Sequence, residues 1–351
     1  MRSAQEGLIE IDGSYGEGGG QVLRTALALS AILKRPFTIS GIRSKRKNPG
    51  LQAQHLEAVK ALTRITGAQT EGAAFGSQSI TFIPRGLLPG SYEFEVSTAG
   101  SVTLLLQAIL LPLCFAKGIS NVTLTGGTHV EWSPSFHYLA EVLLPTLEKT
   151  GVSANATIES WGFYPKGAGM IRLKICPVEE LKSISLVDRG DLKKIRGVSA
   201  ISNLPGHVAD RQREQALKRI REELGMHAEI AVLGHVPSKG SGSFLFLLAE
   251  YERVVTGFSS LGAKGKPAEK VADEAVDLLE EYVSSEGCVD LHLADQLIPF
   301  MALAKGNSSF TTTRVTEHLL TNIWVVERFW EAKVRQWGSV GKPGRVEFLN
   351  E

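Results

Sequence analysis

The run Leu8-Ile9-Glu10-Ile11-Asp12-Gly13, the turn Gly16-Glu17-Gly18-Gly19-Gly20-Gln21 and the apolar stretch 22–33 form one strand, turn and helix passage. Apolar and acidic side chains alternate in the first part, as on a strand with one covered face, and glycines then break the chain ahead of a long apolar run. A strand over 37–42, a helix over 51–66 and strands near Thr70 and over 80–83 follow. The same order recurs downstream. It has a strand over 92–96, the turn Thr98-Ala99-Gly100-Ser101, a helix over 102–115, a strand over 121–125, a helix over 135–150 and strands near 153–159 and 170–175. A third copy runs from Val289-Asp290-Leu291 as strand through a helix over 295–305, a strand over 309–312, a helix over 317–329 and strands over 334–337 and 345–349. Such alternation predicts an α/β fold of three repeated units, each with two helices packed on one four-stranded sheet.

The segment 185–282 separates the second and third copies and has its own alternation, with a charged helix over 210–224 and an apolar strand over 244–250. It reads as a smaller inserted α/β domain. The three-repeat body then comprises 1–184 and 283–351, in keeping with a chain of 351 residues, longer than one hydrophobic core usually serves.

Composition narrows the function. The 43% apolar share describes an ordinary globular protein, and the 36 glycines show no three-residue period, which excludes a collagen-like chain. A formal net charge of +1 excludes a generally basic polyanion binder, so contact with nucleic acid must come from a local patch, of which Arg43, Lys45, Arg46 and Lys47 are the candidate. Cys114, Cys176 and Cys288 lie far apart without zinc spacing, and no signal peptide opens the sequence, so a reducing cytoplasm is expected. The most apolar stretch, 102–116, is shorter than the roughly 20 residues of a membrane span and carries Gln107 and Pro112.

Four groups of residues carry chemistry, each with a plain structural alternative. The glycines of 16–20 let backbone N–H groups approach an anion at a helix N-terminus, yet a tight turn would use them too. Among them Glu17 would be repelled by an anion unless a cation intervenes, which suits magnesium; the alternative is a solvated loop carboxylate. Arg24, one turn into the helix, and Arg43 and Arg46 at the next strand end offer forks for phosphate or form a solvated loop. Gln54 and His55 open the second helix, where a histidine is most often structural. In the third copy His292-Leu293-Ala294-Asp295-Gln296 lies at a strand-to-helix turn, and Glu317-His318-Leu319-Leu320-Thr321-Asn322 starts another helix. A helix N-terminus favours neutral imidazole, the form that attacks phosphorus, although His318 also fits a capping or core-polar role.

Together with Ser101-Val102-Thr103-Leu104-Leu105-Leu106-Gln107, these motifs, in this order over nearly the whole chain, resemble the RNA 3′-terminal phosphate cyclases. The resemblance implies units similar to the C-terminal domain of bacterial translation initiation factor 3. It implies that His318 carries AMP taken from ATP, that Gln107 and His292, Leu293, Ala294, Asp295 and Gln296 contact ATP, and that Glu17 holds Mg2+ or Mn2+. Arg24, Arg43, Arg46, Gln54 and His55 would bind the phosphate of an RNA 3′ end. The expected partner is such an RNA and not a membrane, and a homodimer is allowed. Two positions depart from the family pattern: His292 stands where a tyrosine is familiar, and His129 of Gly126-Gly127-Thr128-His129 where an acid is common. Two other classes share such folds, namely a non-catalytic ribosome-biogenesis factor, against which the intact His318 and Glu17 argue, and carboxyvinyl transferases, which do not need the His318 motif.

Overall fold

The computed structural model describes residues 7–350; the outermost residues of the body as bounded from sequence, 1–6 and 351, lie outside them. In the first unit β1 (Ile9–Asp12), α1 (Gln21–Leu33), β2 (Phe37–Ser40), α2 (Ala53–Thr66), β3 (Gln69–Glu71) and β4 (Ile80–Ile83) form a sheet of order β1-β2-β4-β3. β1 and β2 are parallel, and the other neighbours are antiparallel.

The second unit repeats both order and pairing sense with β5 (Ser91–Glu95), α3 (Val102–Cys114), β6 (Ser120–Gly126), a helical stretch 136–148, β7 (Ala154–Ser160) and β8 (Gly169–Ile175). Sequence reading expects one helix over 135–150. It is three pieces, α4 (Phe136–Tyr138), a π-helical turn Leu139–Leu143 and α5 (Leu144–Glu148), with Pro145 near the break.

After the short β9 (Leu181–Lys182), the strand β10 (Ser185–Leu186) pairs in parallel with a strand far downstream, β16 (Ser308–Thr312). Between them lie β11 (Leu192–Ser202), α6 (His207–Leu224), β12 (Ala228–Leu233), β13 (Gly242–Tyr251), β14 (Val255–Leu261) and α7 (Ala268–Val283), whose strands form a sheet of their own, β12-β11-β13-β14. Then come α8 (Leu291–Leu303), β15 (Ala304–Lys305), which pairs with β9, and β16, followed by α9 (Glu317–Phe329), β17 (Val334–Trp337) and β18 (Gly344–Phe348). The resulting sheet, β10-β16-β18-β17, again matches the order and sense of the first.

Two sequence expectations are corrected here. Residues 185–186 belong to the third sheet, and Val289-Asp290-Leu291 is not its first strand: Val289 makes an isolated bridge to Thr312, Asp290 caps α8 and Leu291 begins it.

The helices pack on one another inside and the sheets face outward. α1 touches α2, α3 and α9, and α2 also meets α3. The strands show why: β5 alternates between buried and exposed positions and β7 between half-buried and exposed ones, while α3 is covered almost all round, Leu104 and Gln107 excepted. Each of the three like-ordered sheets therefore supplies one apolar face and the central helices supply the rest of the core. Among the described residues no helix is long and apolar enough to cross a membrane.

Candidate active site

The glycine turn brings backbone to places a side chain would block. Gly16 and Gly18 have φ of 59°, and Gly20 ends the turn as N-cap of α1 without any side-chain cap. A Cβ on Gly20 would lie 2.1 Å from Nε2 of His55 and 3.0 Å from Nη1 of Arg24. Position 20 must therefore be bare for these two groups to converge on the uncapped helix end. Glu17 projects from the same turn, its Oε1 2.9 Å from Nη2 of Arg46 and 3.2 Å from Nε2 of His318.

His318 is held by its helix. Thr316 caps α9, its hydroxyl accepting from the Leu319 N–H at 2.9 Å and donating to Oδ1 of Asp295 at 2.7 Å. Asn322, one turn further, donates to the Asp295 carbonyl at 2.7 Å and accepts from the Thr25 hydroxyl at 2.7 Å, which locks α9 to α8 and α1. The stacked rings of Tyr15 and Trp324, 4.1 Å apart, tie the glycine turn to α9. Nδ1 of His318 is buried without a partner, and Nε2 faces Glu17. Burial holds the pKa of His318 below the usual histidine range; Glu17 opposes this, while Arg24, His292 and Arg46 add to it. Burial also pushes the Asp295 carboxyl well above the carboxylate range.

The cationic side of the site is short of anions. Burial brings Arg24 down to about 10, so it remains charged at neutral pH, and its Nε is buried without a partner. Arg43 donates to the Asn48 carbonyl. His55 accepts the Gln52 N–H on Nδ1 at 3.3 Å, and burial first, then Arg24 and Arg43, lower its pKa to about 3. The ring is therefore neutral with its proton on Nε2, the nitrogen beside Gly20. Buried, under-paired donors of this kind suit a bound phosphate.

These groups line one cleft of about 960 Å³. It takes in Glu17, Arg24, Arg43, Arg46, Gln54, His55, Gln107, His292, Asp295, Gln296 and His318 from the residues named by sequence. Leu293 and Ala294 do not join them; both are buried in the core, because successive residues of a helix point about 100° apart. His129 also lies elsewhere, buried against His137 and Trp161.

Sequence reading missed the opposite wall. Gly257 to Leu261 of β14, Lys266 and Tyr282 come from the segment between β10 and α8, and Trp132 and Pro134 from the loop after β6. Asp290 accepts from the Tyr138 hydroxyl at 2.8 Å and from Thr256 at 2.9 Å, and so joins that wall to α8. Its position just ahead of Leu291-His292-Leu293 is an N-cap signal that sequence alone can offer. Among the described residues no group of three or more His, Cys, Asp or Glu side chains could hold a metal, so Glu17 fits a cation only as one carboxylate beside substrate oxygens and water. A nucleophilic nitrogen beside a carboxylate, in a cleft lined by arginines, is equipped for transfer at phosphorus.

The family model described as RNA 3′-terminal phosphate cyclase matches residues 15–336. Proteins named RNA 3′-terminal phosphate cyclase are similar to this chain over nearly their full length. The one from Pyrococcus furiosus is 43% identical over 345 residues, covering 98% of this chain and 99% of its own. That from Methanopyrus kandleri is 44% identical over 349 residues, with shares of 98% and 99%. That from Nostoc punctiforme is 44% identical over 337 residues, with shares of 93% and 96%. Among solved structures, the enolpyruvyl transferase NikO from Streptomyces tendae aligns with a TM-score of 0.39 at 11% identity, covering 97% of this chain and 48% of that one.

Proposed function

The chain belongs to the RNA 3′-terminal phosphate cyclase family, and from that premise we propose that it converts an RNA 3′-phosphate to a 2′,3′-cyclic phosphate, using ATP through AMP carried on His318. The observation that carries the reading is the placement of Nε2 of His318 on the first turn of α9, 3.2 Å from Glu17, in the cleft that holds Arg24, Arg43, Arg46 and His55. The three like-ordered sheets fit units similar to the C-terminal domain of translation initiation factor 3, with the stretch from β11 to α7, inside the 185–282 expected from sequence but for its last residue, as the inserted domain.

The chemistry runs in three displacements. The Nε2 lone pair attacks the α-phosphorus of ATP, the bond to the β-phosphate oxygen breaks and pyrophosphate leaves; the attacking tautomer keeps its proton on Nδ1. An oxygen of the RNA 3′-phosphate then attacks the same phosphorus, the P–N bond breaks and AMP passes to the RNA. Last, the neighbouring 2′-hydroxyl gives its proton to solvent and attacks the 3′-phosphorus, the anhydride bond to AMP breaks and AMP leaves.

Gln107, His292, Asp295 and Gln296 line the part of the cleft assigned to ATP, while Leu293 and Ala294 are buried in the core behind them. Arg24, Arg43, Arg46, Gln54 and His55 hold the RNA phosphate, Arg24 as a buried cation and His55 as a neutral N–H donor. Mg2+ or Mn2+ on Glu17 would supply charge neutralisation at the phosphates of ATP.

Incubation with ATP labelled at the α-phosphate tests the reading. The protein takes up label that is stable in alkali and released by acid. His318→Asn takes up none, yet still closes RNA supplied with a 3′-terminal adenylate. Label on His318→Asn would sink the histidine as carrier. Absence of label on the parent protein would favour the non-catalytic relatives.

A further inference from the structure

Trp132 carries two unfavourable features at once. Its side chain is 95% exposed, and its φ of 63° lies in the left-handed region that bulky L residues avoid. The loop around it is nevertheless fixed. The Gly127 N–H donates to Gly100 O at 2.8 Å, Phe136 N–H to Thr128 O at 3.0 Å, the Ser133 hydroxyl to Val130 O at 3.0 Å and the Thr103 hydroxyl to Pro134 O at 2.7 Å. Anchors on both sides of residue 132 hold an indole ring out in solvent, at the rim of the cleft described above.

Charge assigns what that ring faces. Arg24, Arg43, Arg46 and the N–H of His55 line the cleft and attract phosphate oxygens, whereas Trp132 is flanked by Glu131, which repels them, and by Ser133. A strand that lays its backbone along the arginines turns its bases away from them. The two regions are mechanically joined: the Gln54 side chain accepts from the Ser101 N–H at 3.4 Å, and Ser101 bridges to Gly127 at the root of the loop.

We propose that Trp132 is a stacking platform for a nucleobase of the RNA strand near its reacting 3′ end. The inference rests on the cyclase reading of the cleft. The ring's exposure favours RNA over ATP. A nucleotide consumed inside the site needs enclosure, but a strand leaving the cleft presents bases at its rim. Stacking on an aromatic face tolerates every base, because each has a π-face. The contact therefore strengthens binding without selecting sequence.

The test uses the full chain and 3′-phosphorylated oligoribonucleotides, either intact or abasic at the last two positions. Trp132→Ala is expected to raise KM for intact RNA about tenfold with little change in kcat, the scale of one stacked base. Trp132→Phe restores most of the affinity. On abasic RNA the parent protein loses as much as Trp132→Ala, and the variant loses nothing further. An unchanged KM for intact RNA in Trp132→Ala overturns the proposal, and so does a raised KM for ATP in the AMP-labelling reaction, which would assign the ring to adenine. If the parent protein takes up no label, the cyclase reading fails by itself. The stacking is then read from tryptophan fluorescence: quenching by intact RNA that is lost in Trp132→Phe supports it, and quenching that persists in the variant overturns it.

Discussion

A methyl group at position 20 would collide with Nε2 of His55 at 2.1 Å and crowd Nη1 of Arg24 at 3.0 Å. Neither can retreat cheaply, since His55 is pinned by the Gln52 N–H and Arg24 is enclosed between helices. Gly20→Ala is accordingly expected to lower stability by about 1–3 kcal/mol in urea unfolding. Its cyclisation of RNA should fall by more than its uptake of AMP on His318, because in the proposed reading the displaced groups are the ones that hold the RNA phosphate. Equal loss in both reactions would place His55 and Arg24 on the ATP side instead. At this scale the sequence displays Glu17 and His318 plainly, since a carboxylate among glycines and a histidine at a helix start are local patterns. It groups Leu293 and Ala294 with their neighbours for a reason equally local: a contiguous motif is read as one surface, but on α8 His292, Asp295 and Gln296 line the cleft while Leu293 and Ala294 between them are buried in the core.

Between elements, the chain leaves the body after β10 and returns ahead of α8, and one side chain holds the two crossings together. The guanidinium of Arg189 donates to the carbonyls of Tyr282 and Val283, both at 2.9 Å, and of Ser285 at 2.5 Å, and lies over the rings of Tyr251 and Tyr282 at 4.9 and 4.8 Å. Several carbonyls gathered past one helix end, of which Tyr282 O also accepts from Ser285, meet a planar fork that lysine cannot copy. Arg189→Ala and Arg189→Lys should each cost about 2–4 kcal/mol and open protease cleavage at 187–190 and 283–287. Unaltered protease resistance would show that the sheets alone hold the crossings. None of this is legible in sequence. Arg189 looks like a surface charge beside Asp188 and Gly190, and β10, two residues long, is too short for alternation to reveal. The helical pattern of α6, by contrast, is long enough to read and runs His207–Leu224.

For the molecule as a whole, the joint between the second unit and the intervening sheet is a buried pair of histidines. Nε2 of His129 lies 3.0 Å from Nδ1 of His137, Nδ1 of His129 meets the Thr128 hydroxyl at 2.8 Å, and Trp161, Phe163, Phe244 and Phe246 enclose the pair. The strand β13, which carries Phe244 and Phe246, is covered on both faces, a continuous apolar run that signals a second partner without naming it. Burial depresses His137 to about 4 and His129 well below the histidine range, with His137 adding to the effect on His129. A depressed folded pKa means that the unfolded chain takes protons first as pH falls below about 6.5, so stability is full above that pH and is lost down to the folded pKa. Each such group contributes a slope of up to about 1.4 kcal/mol per pH unit, and His55, lowered to about 3, adds a third. Asp295, raised by burial, works in the opposite sense but is a single group. Urea midpoints measured from pH 7.5 to 4.5 should therefore be flat at first and then fall steeply. His137→Asn keeps a polar atom near the Nδ1 position while removing one titration. Its slope between pH 6 and 4.5 is expected to be shallower by about 1.4 kcal/mol per unit, whatever its absolute stability. An unchanged slope would mean that His137 takes up its proton in the folded protein, and that the joint between the second unit and the intervening sheet opens before the rest unfolds.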